Sequence, residues 1–89
     1  MTTEMRNDAI AVYMGEQQGD LKYHESWDWL IPVWVRVRFK LSPTQIIHAI
    51  NCIDTGDIRE LHMLLSQICI NWCKENNINL NVNGNTETN

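Results

Sequence analysis

His62, Cys69 and Cys73 occupy positions that one side of a helix can share. The two thiols stand one helical turn apart, and the imidazole lies seven residues before the first of them. Thiolate and imidazole are ligands that zinc favours, and Cys52 would supply a fourth. Structural zinc sites, however, use closely paired cysteines in loops, and no such pair occurs here. Small apolar thiols filling a helical core account for the same spacing. The pattern therefore predicts no metal. His24, Glu25 and Asp28 are close enough in sequence to suggest a general acid–base pair. They read equally as the solvated start of a helix. No glycine-rich phosphate loop, nucleophile elbow or carboxylate pair in a defined cleft accompanies them. The residues predict neither an enzyme nor a bound cofactor.

Binding chemistry is better represented. Trp34, Arg36, Arg38 and Lys40 interleave an aromatic with the chain's basic cluster, an arrangement that grips RNA or single-stranded DNA by phosphate pairing and stacking. If this segment is a strand, all four line one face. Glu4, Asp8, Glu16, Asp20, Glu25 and Asp28 concentrate acid in the N-terminal third. Such a face could meet the basic groove of a nucleic-acid enzyme. Four tryptophans are many for so small a chain. Trp27 and Trp72 read as core, whereas Trp29 lies off the main helical face and is expected at the surface, where tryptophan is enriched at interaction hot spots. The candidate partner-binding residues are thus Glu25, Asp28, Trp29, Trp34, Arg36, Arg38 and Lys40.

These side chains must be positioned by a few short helices. Met5, Ala9, Val12 and Tyr13 recur near helical spacing, Thr2 or Thr3 can cap that helix, and Gly15 stops it. Residues 16–22 read as a loop, and Leu21 to His24 as a brief extended segment. Ser26 has the character of an N-cap for a helix starting at Trp27, with Asp28 at its positive end. Beyond Val33 two patterns compete. Trp27, Leu30, Ile31, Trp34, Val37 and Leu41 form a helical face, while Val33, Val35, Val37, Phe39 and Leu41 alternate as a strand would. The reading adopted is helix from Trp27 to at least Val35, with extended backbone after Arg36 left open. Ser42-Pro43-Thr44-Gln45 is a capping box with proline in the first helical position. Ile46, Ile47, Ala49, Ile50 and Ile53 give that helix its apolar face. Thr55-Gly56-Asp57 ends it and caps a last helix reaching about Asn76. The stripe Ile58, Leu61, Leu64, Leu65, Ile68, Cys69 and Trp72 marks this last helix as central.

The whole is a small mainly α domain of three or four helices over residues 1–78. A short strand or hairpin near 20–24 or 33–41 would make it α+β. Residues 79–89, rich in Asn and Thr, read as a disordered tail. Eighty-nine residues make one domain at most, and 44% hydrophobic composition is enough for a thin core. The formal charge of −4 argues against a general nucleic-acid binder. With no apolar leader and no run long enough for a membrane span, the expected location is the cytoplasm, with reduced thiols.

The stretch Tyr23-His24-Glu25-Ser26-Trp27-Asp28-Trp29-Leu30-Ile31-Pro32-Val33 resembles a segment of short uncharacterised phage and prophage proteins that carry Tyr-His-x-Ser-Trp-Asp-Trp-Leu-Met-Pro-Val. Those proteins also have a first helix ending in Met-Gly, as Val12-Tyr13-Met14-Gly15 does. Their last helix is similar to Trp72-Cys73-Lys74-Glu75-Asn76-Asn77. The likeness runs in order over roughly residues 8 to 77 and lapses between Trp34 and Ser42. It implies a mobile-element origin and transfers no catalytic residue. Small size, that origin, and an acidic and aromatic surface without an active site point to a non-enzymatic inhibitor of a bacterial defence nuclease, of the anti-CRISPR kind. A small regulatory RNA- or DNA-binding module using Arg36, Arg38 and Lys40 is the alternative.

Overall fold

A computed structural model describes residues 2–17, 19–78 and 80. Four helices carry the fold: α1 (Thr3–Met14), α2 (Trp27–Val37), α3 (Pro43–Thr55) and α4 (Ile58–Glu75), with a 3-10 turn at Arg38–Lys40. No strand forms among the described residues. The domain is mainly α, and α4 packs against each of the other helices. The expected disordered tail lies outside the described residues, apart from Leu80, which packs partly buried against the core. No helix among the described residues is long and apolar enough to cross a membrane.

The helix boundaries follow local chemistry. Thr2 Oγ1 accepts the Met5 amide at 3.1 Å and opens α1. Gly15 closes it at φ 74°, a left-handed geometry that a side chain would disfavour. Ser42 and Gln45 form both arms of the capping box, at 3.2 and 2.9 Å. Gly56 ends α3 at φ 76°, and Asp57 caps α4 through the Glu60 amide. Ser26 departs from expectation. Its backbone is extended and its carbonyl accepts from Trp29 and Leu30, but its hydroxyl makes no cap bond.

The contest over residues 33–41 is resolved by two positions. Val33, Val37 and Leu41 fit either period, and all three are buried. Val35 and Phe39 belong inside only if the segment is a strand, and they are 42% and 81% exposed. Helix continues to Val37 and tightens into the 3-10 turn, and only Leu41 adopts extended backbone. The segment 20–24 is not a strand either. Leu21 and Tyr23 alternate inward, yet they anchor a loop that turns back through the Lys22 carbonyl.

Two helices bury more than the face their apolar spacing indicates. In α1 the five consecutive residues Asn7 to Ala11 are buried, because α4 covers one side and the Leu21 loop another. In α4 the buried rows are Leu61, Leu65, Cys69, Cys73 and, beside them, His62, Ser66, Ile70. The second row receives α1. On α3, Ala49 and Cys52 are buried while Ile47 and Ile50 are 61% and 51% exposed, so the broad apolar face is only partly covered. Near its start α1 meets α4 at His62 and Ser66, through Asn7 and Arg6, and near its end at Trp72, through Tyr13, so the two helices run in the same direction.

Candidate functional site

At the start of α2 the expected surface aromatic is instead part of a wall. Trp29 is half-buried and meets Tyr23 edge-to-face at 5.2 Å between centroids. Tyr23 donates its hydroxyl to Glu16 Oε1 at 2.7 Å, and burial together with that carboxylate holds its pKa above the ordinary value. Asp28 and Trp29 line a shallow cleft of about 260 Å³ with Met14, Glu16, Tyr23 and Pro32. Asp28 and Glu25 are exposed, and Glu25 pairs with Lys22 at 3.5 Å.

The acidic face expected of the N-terminal third is correspondingly thinned. Asp8 is buried, and desolvation followed by the nearby Glu4 raises its pKa. Glu16 is engaged by Tyr23, and Asp20 and Glu25 share Lys22. Of His24, Glu25 and Asp28, the structure brings the first two together, at 3.7 Å, and not the third. His24 Nδ1 is 2.9 Å from Asn7 Nδ2, which must donate to it, while Asp28 opens onto the separate cleft beside Trp29.

At the far end of α2 the helix dissolves the single face that a strand would have given Trp34, Arg36, Arg38 and Lys40. One helical residue turns the direction by about 100°, so neighbours two apart diverge by about 200°. Trp34 is half-buried against the core, whereas Arg36, Arg38 and Lys40 are exposed. What the structure adds is Phe39. Its ring stands out from the 3-10 turn with the Arg38 guanidinium 5.0 Å from its centroid, a cation–π contact. Phe39 was legible only as the inward face of a strand. The signal against that reading was its place inside the basic run Arg36, Arg38, Lys40.

No protein-family model, no curated protein and no solved structure matches this chain.

Burial disfavours the thiolate form of all three cysteines. Cys69 is fully buried, and burial with Cys73 beside it pushes its pKa up to about 12. Burial also raises Cys73. Cys52 lies 3.9 Å from His48 Nε2, a pairing that resembles a nucleophile and its base, and His48 reaches Glu60 at 3.5 Å. Burial, Asp57 and Glu60 raise the Cys52 thiol, which is the opposite of activation. No group of three or more His, Cys, Asp or Glu side chains among the described residues gathers as metal ligands. His62, the imidazole of the notional zinc set, is committed elsewhere: its Nε2 lies 2.8 Å from Asn7 Oδ1. The most exposed large apolar side chain among the described residues is Phe39, between Arg38 and Lys40 in sequence.

Proposed function

We propose that this chain is a non-enzymatic interaction protein that docks through the Arg36–Lys40 knuckle onto an effector protein. The best reading of that effector is a host defence nuclease, inhibited in the anti-CRISPR manner by a phage- or prophage-encoded protein. The observation that carries the docking face is Phe39, 81% exposed between Arg38 and Lys40. Aromatic rings and arginines dominate interaction hot spots, because each removes a large area from water on few rotatable bonds. The cations decide the kind of surface. A basic groove that holds nucleic acid repels them, so the favoured contact is an acidic face elsewhere on the effector, with an apolar pocket for the ring. Origin and target class rest on the resemblance of the Tyr23–Val33 segment to phage proteins.

The same ring and cations suit RNA or single-stranded DNA, the competing reading. Loss of the common Trp34–Arg36–Arg38–Lys40 face weighs against it. The decisive experiment expresses the chain in a host with an active nuclease defence and counts plaques of a targeted phage. Protection that disappears with Phe39→Ala and with Arg38→Glu, while circular dichroism is unchanged, supports the proposal. Absence of protection, with a salt-dependent gel shift lost in Arg36→Glu, favours the nucleic-acid reading instead.

A further inference from the structure

Because α1 and α4 run the same way, their first turns lie at one end of the molecule. A cleft of about 390 Å³ opens there, lined by Thr3, Arg6, His24, Arg59, His62 and Met63. Every titratable side chain in this lining is a base. That runs against the composition, in which eleven acids outnumber seven Lys and Arg. The ion pairs among the described residues involve Lys22, His24 and His48, and neither Arg6 nor Arg59. Two guanidinium groups thus face one opening without a carboxylate partner among the described residues.

Arg6 is held in place. Its Nη1 donates to Ser66 Oγ at 2.9 Å and to the Met63 carbonyl at 3.3 Å, and its other N–H groups have no partner among the described residues. His62 is 4% exposed. Asn7 Nδ2 donates to the Leu21 carbonyl, which leaves Asn7 Oδ1 as acceptor and puts the His62 proton on Nε2. His62 Nδ1 then has no partner among the described residues. This buried, half-satisfied ring lines the same cleft as the two arginines. Helix N-termini add partial positive charge from both α1 and α4.

We propose that this cleft is an oxyanion site for a terminal phosphate group, clamped by Arg6 and Arg59 with His62 Nδ1 at its floor. Planar guanidinium groups match phosphate oxygens two at a time. Neutral His62 presents a lone pair at Nδ1, so binding draws a proton onto that nitrogen and tightens as pH falls. The surrounding charges are mixed. On α1 they are Glu4, Arg6 and Asp8; on the loop, His24 and Glu25; on α4, Asp57, Arg59, Glu60 and His62. Glu25 lies 3.7 Å from His24 Nε2, which leaves the arginines and His62 as the anion's partners. Burial, His24 and Arg6 hold the pKa of His62 near 4, as an uncompensated positive site should.

The test titrates the intact chain with sulfate, inorganic phosphate and AMP at constant ionic strength, followed by nuclear magnetic resonance of the arginine and histidine side chains. Sulfate keeps one charge state across pH 5 to 7.5, so its affinity isolates the protein's own proton. Saturable shifts at Arg6, Arg59 and His62, a rise in the His62 pKa on saturation, and sulfate binding that strengthens toward pH 5 support the site. Arg59 is exposed, so Arg59→Glu should weaken binding by about tenfold without altering thermal stability. Arg6→Lys keeps a charge but loses the fork and should weaken binding too. AMP binding tighter than phosphate identifies a phosphomonoester as the ligand, and equal affinities identify free phosphate. Shifts that never saturate, that survive Arg59→Glu, or that centre on Arg36, Arg38 and Lys40 overturn the proposal.

Discussion

Asn7 uses both ends of its amide. Nδ2 reaches the Leu21 carbonyl at 3.3 Å and the His24 ring at 2.9 Å, while Oδ1 receives His62 at 2.8 Å. A buried polar group left unpaired costs about 1–3 kcal/mol. Asn7→Ala strands the His62 N–H and the Leu21 carbonyl together, so a loss of about 2–4 kcal/mol in urea unfolding is expected. His62 also makes stability depend on pH. Its folded pKa, about 4, lies below the ordinary 6.5, so the unfolded chain takes up its proton first. Stability is full above pH 6.5 and falls as pH drops toward 4, by up to about 3 kcal/mol. Asp8 acts oppositely, since its raised pKa favours the fold in acid, but no comparably large shift attends it. The urea midpoint should fall between pH 7 and pH 5, and His62→Gln should flatten that slope. None of this was legible from spacing. Asp8 read as part of an acidic face, His62 as a notional ligand, and Asn7 carried no signal, because hydropathy cannot register polar groups that satisfy one another.

At the scale of elements, the sequence announced stops and starts better than faces. Gly15, Ser42, Gln45, Gly56 and Asp57 act where local chemistry placed them, because a cap needs only its own neighbours. Faces depend on what arrives from elsewhere. The α4 stripe was half correct: Leu61, Leu65 and Cys69 are fully buried, but His62 and Ser66 interrupt the adjoining row in hydropathy and not in packing. Ser26 and Ser42 make a direct comparison. Ser42→Ala removes a reciprocal cap and should cost about 1 kcal/mol. Ser26→Ala removes a hydroxyl without a cap bond and should change stability by less than about 0.5 kcal/mol. Paired denaturation curves check both. Equal losses would mean that Ser26 caps after all.

For the molecule as a whole, the core is thin and its thiols are deep. Cys52, Cys69 and Cys73 are 4%, 0% and 0% exposed. Thiol reagents should therefore modify the native chain slowly, and all three sites should become reactive together in urea at the unfolding midpoint. Early labelling of Cys52 alone would indicate that α3 opens separately. The candidate docking face was partly legible at this scale. The basic run was visible, but whether Phe39 pointed in or out depended on the helix–strand choice that only packing decides.

The partnership of α1 with α4 has a temporal side. Arg6, Asn7 and Tyr13 find their counterparts more than fifty positions downstream, at Ser66, His62 and Trp72. During synthesis α1 emerges before α4 and cannot bury its Ala-Ile-Ala centre against it until α4 leaves the ribosome. Closure of so long a loop costs entropy before any contact repays it. The α1 face that meets α4 is thus open to chaperones and proteases until α4 arrives.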